Sequence, residues 1–394
     1  MARCGFLLLL LVAGARAGAP PGMVKIEKGD YVLGGDEKSG SYDRKNVRLK
    51  SFFIDEAVVT NQDWRAFVKD TKYKSESELF GWSFVLAKLL PKEVVESSQH
   101  VKEAEHWVAS EGAYWRQPFG KGSNLNGKWE YPVVHVSYND ALEYCKWKKK
   151  RLPTEEEWEV AAGAPTVQEN ADAGNDVSRF LYPWGNGNSP SGDGSAWKVN
   201  IWQGKFPTEN SMDDGFLGLA PAKAFGGHVG RRGAKLYNMV GNVWEWTQSP
   251  WAPAIPATAR QDVGGQEGHE KKYVLKGGSF VDSSDGTFNH RASIYTRMGN
   301  TPDSGGINTG FRCAKGKGGG GKAWREKTLK KKVDQDKLQA VLAEEGIEGL
   351  QKYLKSSGIG GSVLTPDMLK DLRNGQQQNA PNPLDTEDSS VDEL

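Results

Sequence analysis

Sulfur is scarce in this chain, with three cysteines among 394 residues. So few cannot build a disulfide-dense scaffold or a cysteine-rich zinc module. Charge of one sign is also lacking. The formal net charge is +1, so no global field points to nucleic acid or a membrane surface. Past the N-terminus, no run approaches the roughly 18 uninterrupted apolar residues that a membrane span needs. No Asn-x-Ser/Thr sequon occurs, so N-glycosylation is not expected. The six histidines (His100, His106, His135, His228, His269, His290) show no short metal spacing. Gly318 to Gly321 lacks the Gly-Lys-Ser/Thr of a phosphate loop, and the basic run Lys327 to Lys332 reads as a solvated helix face. What the chain does have is 48 glycines and 14 tryptophans. That pairing suits a loop-rich fold in which large aromatics supply the burial that short elements cannot.

The termini read as addresses. Arg3 is a positive start, Phe6 to Val12 are apolar, and Ala15-Arg16-Ala17 is a small-x-small cleavage site. Residues 1–17 are therefore expected to be a signal peptide. The last residues, Val391-Asp392-Glu393-Leu394, resemble the Lys-Asp-Glu-Leu retention signal. Together they predict the endoplasmic reticulum lumen, with no membrane or nucleic-acid partner. Cys4 would leave with the signal peptide. Cys145 and Cys313 remain, an even count in an oxidising compartment, and are expected to be bridged.

Residues 23–315 form the glycine- and aromatic-rich region. A flexible basic linker (316–330), short amphipathic helices (331–374) and a disordered acidic tail (375–394) are expected to follow. Within the first region, Thr154 with Glu157 is a capping box, and Thr60 with Asp63 signals another helix start. A third helix is expected over Asp140–Lys148, carrying Cys145. Strand signals fall at Tyr31–Leu33, Ser51–Ile54, Val133–Val136, Val243–Trp246 and Tyr273–Leu275. Gly185–Ala196 and Gly226–Gly233 have loop composition.

Seven ordered segments carry a family resemblance: 151–159 (RLPTEEEWE), 182–185 (YPWG), 200–204 (NIWQG), 236–246 (LYNMVGNVWEW), 276–279 (KGGS), 300–303 (NTPD) and 310–313 (GFRC). Over about residues 23–315 the chain resembles the formylglycine-generating enzymes and their paralogues, the sulfatase-modifying factor family. The resemblance implies an α+β fold, a C-type-lectin-like variant with little regular secondary structure, followed here by a helical or disordered C-terminal extension. It also supports the Cys145–Cys313 bridge, since both match a disulfide pair of the enzyme.

That enzyme converts a sulfatase cysteine to formylglycine with O2 and copper held by two cysteines. Here the matching stretch runs from Ser279, with Asp282 at the first cysteine position and Thr287 near the second. Oxygen ligands hold Cu(I) poorly and cannot exchange disulfides. The implied protein is therefore a non-enzyme without copper, binding sulfatases or the active enzyme as a homodimer or heterodimer and inhibiting sulfatase activation.

The resemblance also implies two calcium sites. Asn200, Ile201, Asp214 and Phe216 match the first; Asn238, Gly241, Val243 and Glu245 match the second. Carboxylate, amide and main-chain oxygens are what a hard cation takes. From the residues alone, strand alternation would instead turn Glu245 to solvent, opposite Trp244 and Trp246. Two other functions stay open: different chemistry at Asp282, Asp285, His290 and Arg291, and calcium-dependent lectin-like binding.

Overall fold

A computed structural model describes residues 19–185, 189–191, 196–226, 235–252 and 271–316, together with the backbone of 228 and 229. The chain divides into two units, Met1–Gly321 and Lys322–Leu394. The second unit lies outside the described residues. So do the expected signal peptide, nearly all of the linker, the amphipathic helices and the tail.

Short side-chain caps start five α-helices of the first unit, and Pro91 stands before the other described one, Lys92–Ser97. The Thr60 hydroxyl accepts Asp63 N–H and Asp63 reaches back, so the helix Asn61–Thr71 begins where expected. Thr154 and Glu157 do the same for the helix Glu155–Ala162. The third helix, Tyr138–Trp147, starts two residues before its expected place, because Ser137 and Asp140 form a further box. Boxes at Ser75 and Thr166 open the helices Glu76–Phe80 and Val167–Asp172, which the sequence reading did not find. Among the described residues no helix is long and apolar enough to cross a membrane.

The strands are short and distributed over several small sheets, giving the expected α+β fold. The largest sheet has the order Arg297–Asn300, Tyr273–Lys276, Trp244–Pro250, Thr309–Gly310, with the last pair parallel. A second joins Met23–Ile26, Phe52–Asp55 and Ala314–Lys315, so the end of the domain closes onto its beginning. Gly29–Leu33 pairs with Lys45–Leu49. A third sheet, Trp82–Leu86, Ala104–Glu111 and Gln99–Val101, was not legible in the sequence. The expected strand at Val133–Val136 does not form. His135 there is left-handed (φ 59°) and its N–H donates to Gly306 O, so the segment makes loop-to-loop bonds instead of a ladder. Its residues are nevertheless buried, which explains the apolar signal.

Aromatic packing supplies much of the core. Trp64 lies parallel to Tyr144 with centroids 5.8 Å apart and meets Phe67 and Phe311 edge-on. The Cys145–Cys313 disulfide, with Cα atoms 5.7 Å apart, fastens this cluster. It ties the helix Tyr138–Trp147 to the approach of the final strand across 168 residues of sequence. Replacing both cysteines by alanine is expected to cost about 2–5 kcal/mol of unfolding free energy, read from urea denaturation.

Candidate functional site

Beyond the strand Tyr273–Lys276 the chain turns through Gly277 and Gly278, both left-handed. A Cβ on Gly277 would lie 2.8 Å from Met239 O and 3.0 Å from the Trp158 ring, so only glycine fits there. The turn delivers Ser279 and Asp282 to the interior. Asp282 is 1% exposed. Its Oδ2 accepts Ser279 N–H (2.7 Å) and the Ser279 hydroxyl (2.9 Å). Its Oδ1 accepts His290 N–H (3.1 Å) and lies 3.2 Å from His290 Nδ1. The carboxylate therefore fastens the start of the loop 283–291 to its end. Ser283 N–H to His290 O (3.1 Å) and Ala292 N–H to Ser283 O (2.8 Å) complete the closure.

The four polar residues considered for alternative chemistry do not converge. Only Asp282 and His290 meet. Asp285 is exposed and accepts the Thr287 N–H and hydroxyl (3.1 and 2.8 Å), while Arg291 turns to Asp36 (3.3 Å). Thr287, near the second cysteine position, is exposed. The His290 side chain is 41% exposed and stands edge-on to Trp244, 5.0 Å between centroids. Burial pulls its pKa down, but the hydrogen bond and charge of Asp282 outweigh this and leave it above the usual 6.5. Next to the loop, Phe288 stacks on Phe206 (5.3 Å), which meets His106 edge-on (4.8 Å). Beyond lies an open cleft of 480 Å³ lined by Ala87, Lys88, Glu105, His106, Pro207 and Thr208. Neither the cleft nor its aromatic border has a signature in the sequence.

The first expected calcium set comes together. Asp214 Oδ1 accepts Phe216 N–H (2.9 Å) and Oδ2 accepts Ile201 N–H (3.0 Å). Gln203 Nε2 donates to both Ile201 O and Asp214 Oδ2, so two of the proposed ligand oxygens already converge on one electropositive group. Burial raises the Asp214 carboxyl to about 6, with the neighbouring Asp213 charge adding to the shift. Asn200 bridges the two expected sets, its Nδ2 donating to Asn242 Oδ1 (3.0 Å) and its carbonyl accepting Asn242 N–H (2.8 Å). Gly241 (φ 74°) belongs to the same contact, since a Cβ there would lie 2.4 Å from Asn200 O.

The second set differs. Asn238 Oδ1 is buried with no donor, which suits a cation. Val243 is buried at the entry to the strand Trp244–Pro250. Glu245, however, does not point to solvent and does not carry free charge. Arg312 grips it at both oxygens (2.7 and 2.7 Å) and Trp158 Nε1 donates a third bond (2.8 Å). Alternation fails because both faces of the strand are covered. Trp158 of the helix Glu155–Ala162 meets Glu245, and Tyr138 of the helix Tyr138–Trp147 meets Trp246 edge-on (6.0 Å). Trp244, Glu245 and Trp246 are all buried. Arg312 donates also to Asp55 O, Glu56 O and Tyr237 O (3.2, 3.3 and 2.8 Å), which leaves the guanidinium well satisfied.

A fold held by these segments is that of a formylglycine-generating-enzyme relative. The family described as the sulfatase-modifying factor enzyme 1-like domain matches residues 11–317, and the chain belongs to it. The inactive C-alpha-formylglycine-generating enzyme 2 of Bos taurus is 43% identical over 300 residues, covering 75% of this chain and 88% of that one. The Mus musculus protein of the same name is 42% identical over 301 residues, covering 76% of this chain and 87% of that one. A formylglycine-generating enzyme of Thermomonospora curvata is 42% identical over 304 residues, covering 74% and 93%. Identity to a relative named as a formylglycine-generating enzyme is therefore nearly as great as to those named inactive. Among solved structures, PvdO of Pseudomonas aeruginosa matches with a TM-score of 0.46 at 20% identity, covering 74% of this chain and 93% of that one, too loosely to add to the assignment.

Glu245→Gln would leave Arg312 buried without its counter-charge, and a loss of about 3–5 kcal/mol is expected in chemical denaturation. Glu245→Gln with Arg312→Met should recover part of that loss. For His290, the imidazole is expected to titrate above 6.5 by NMR and to fall back in Asp282→Asn. Since its folded pKa is raised, the stability it contributes is complete below the unfolded value and lost as pH rises through the folded one. Hydrogen exchange in the loop 283–291 should accelerate over that interval.

Proposed function

We propose that this chain is a lumenal, non-catalytic binding protein that engages sulfatase polypeptides or the active formylglycine-generating enzyme and lowers sulfatase activation. The observation that carries this reading is Asp282. A carboxylate that bridges the two ends of its own loop stands where a soft-metal thiolate would be needed, and the loop stays closed without sulfur. Both cysteines of the described domain are bridged, so neither supplies a thiolate in compensation. The scaffold around the loop persists, and the aromatic-bordered cleft beside Phe288 offers a surface for an extended polypeptide.

Calcium belongs to the proposal as a structural ligand. Asn200, Ile201 O, Asp214 and Phe216 O would hold one ion, supplying charge compensation for the buried Asp214. Asn238, Gly241 O, Val243 O and Glu245 would hold the second, with less free charge because Arg312 already neutralises Glu245. Copper is not part of the proposal. Residence in the endoplasmic reticulum and pairing as a homodimer or heterodimer rest on the terminal signals and the family resemblance.

The purified mature chain, given copper, O2 and a sulfatase-derived cysteine peptide, is expected to yield no formylglycine above the blank. Added to the active enzyme with the same peptide, it should slow conversion in proportion to its concentration. An unchanged rate, together with failure to co-purify with either protein, would reject the partner reading while leaving the loss of catalysis intact.

A further inference from the structure

The helix Glu76–Phe80, the start of the helix Tyr138–Trp147 and the turn 301–304 meet at one corner of the domain. Asn139 ties them together: its N–H donates to Pro302 O (3.1 Å) and its side-chain amide to Glu76 Oε1 (2.9 Å). Three carboxylates gather there. Asp140 is buried but well supplied, accepting Ser137 N–H (3.0 Å), the Tyr73 hydroxyl (2.9 Å) and Glu76 N–H (3.2 Å). Asp303 is 8% exposed and neither of its carboxylate oxygens has a donor. Glu76 Oε2 is buried with no donor at bonding geometry, although the Ser137 hydroxyl stands close enough to ease its charge.

No cation offsets this corner among the described residues. The domain's buried ion pairs lie elsewhere, at Asp36, Asp55, Glu155, Glu157, Glu159 and Glu245. The contrast with Asp282 is sharp, since that carboxylate receives donors at both oxygens. A buried carboxylate with neither counter-charge nor donors is costly and calls for an explanation. Burial, then the charge of Asp140 and more weakly that of Asp303, pushes the Glu76 carboxyl up to about 8 against the hydrogen bonds of Ser137 and Asn139.

We propose that Asp303 and Glu76 hold a divalent hard cation of the calcium class at this corner, apart from the loops at 200–216 and 238–245. The open ligand atoms, Asp303 Oδ1 and Oδ2 and Glu76 Oε2, are all carboxylate oxygens. With neither nitrogen nor sulfur among them, they select a hard ion over zinc or copper. Among the described residues no three carboxylate, imidazole or thiolate groups converge as a metal site. In the proposed site the protein contributes two carboxylates, and the rest of the shell arrives with the ion. Such a shell gives an exchangeable site, and a bound ion would clamp three segments far apart in sequence.

Equilibrium dialysis of the full chain against calcium, counting ions per chain at pH 7.5 and 6, tests this. Asp303→Asn is expected to bind one ion fewer than the unaltered chain. Glu76→Gln, at the half-exposed edge and therefore gentler on folding, should show the same loss. Asp214→Asn must leave this ion in place, so that failure here is separable from failure of the calcium loops in the proposed function. The calcium-induced rise in melting temperature should fall by at least half in Asp303→Asn and in Glu76→Gln. An unchanged ion count in both variants overturns the proposal. So does a chain that binds no calcium while Asp303→Asn raises its stability, because the corner would then hold only a proton.

Discussion

One buried charge pair organises the centre of the domain. Glu245 sits in the largest sheet between two buried tryptophans, and a carboxylate there is tolerable only with strong donors on every side. Arg312 and Trp158 are those donors. Each of the three comes from a different one of the segments that carry the family resemblance, and their meeting ties those segments together. The helix Glu155–Ala162 repeats the device on its own buried acids: Glu155 binds Arg297 (2.7 Å), Glu157 binds Arg151 (2.6 Å) and Glu159 binds Lys276 (2.9 Å). Lys276 ends the strand that leads into the Gly277–Gly278 turn, so the same helix that braces Glu245 also sets where the vestigial loop begins.

Much of this was legible in the amino-acid sequence, and the reasons separate cleanly. Caps are local, so Thr60 and Thr154 announced their helices from residues three positions away. The Ser137 box was missed although its pattern has the same form, and the Tyr138–Trp147 helix was placed late in consequence. Buried strands were harder to read. Val133–Val136 looks like a strand because it is apolar, yet its backbone bonds go to single partners in other loops. Long-range pairing was invisible. Glu245 and Arg312 stand 67 positions apart, and nothing local marks one as the partner of the other. The same holds for Asp36 with Arg291, and for the cleft beside Phe288. The expectation that copper is not bound, by contrast, needs no geometry, because it rests on the resemblance and on which element is present.

Asp282 is well accommodated where it stands. A carboxylate in a buried loop would ordinarily be a charge in want of partners. Here Ser279 and His290 receive it, so the loop has a defined shape. A scaffold that retains its form without turnover can still compete for a substrate segment or a dimer face. That is why the loss of reactivity and the persistence of the fold are best read together.

The order in which the chain is made gives the Glu245–Arg312 pair a further meaning. Arg312, the disulfide partner Cys313 and the closing strand Ala314–Lys315 all lie at the last few positions of the domain. While a growing polypeptide ends before them, Glu245 has no guanidinium, Cys145 no partner sulfur and the strand Phe52–Asp55 a bare edge. The contacts that fasten the centre and the edge of the domain can therefore form only once synthesis has passed residue 315.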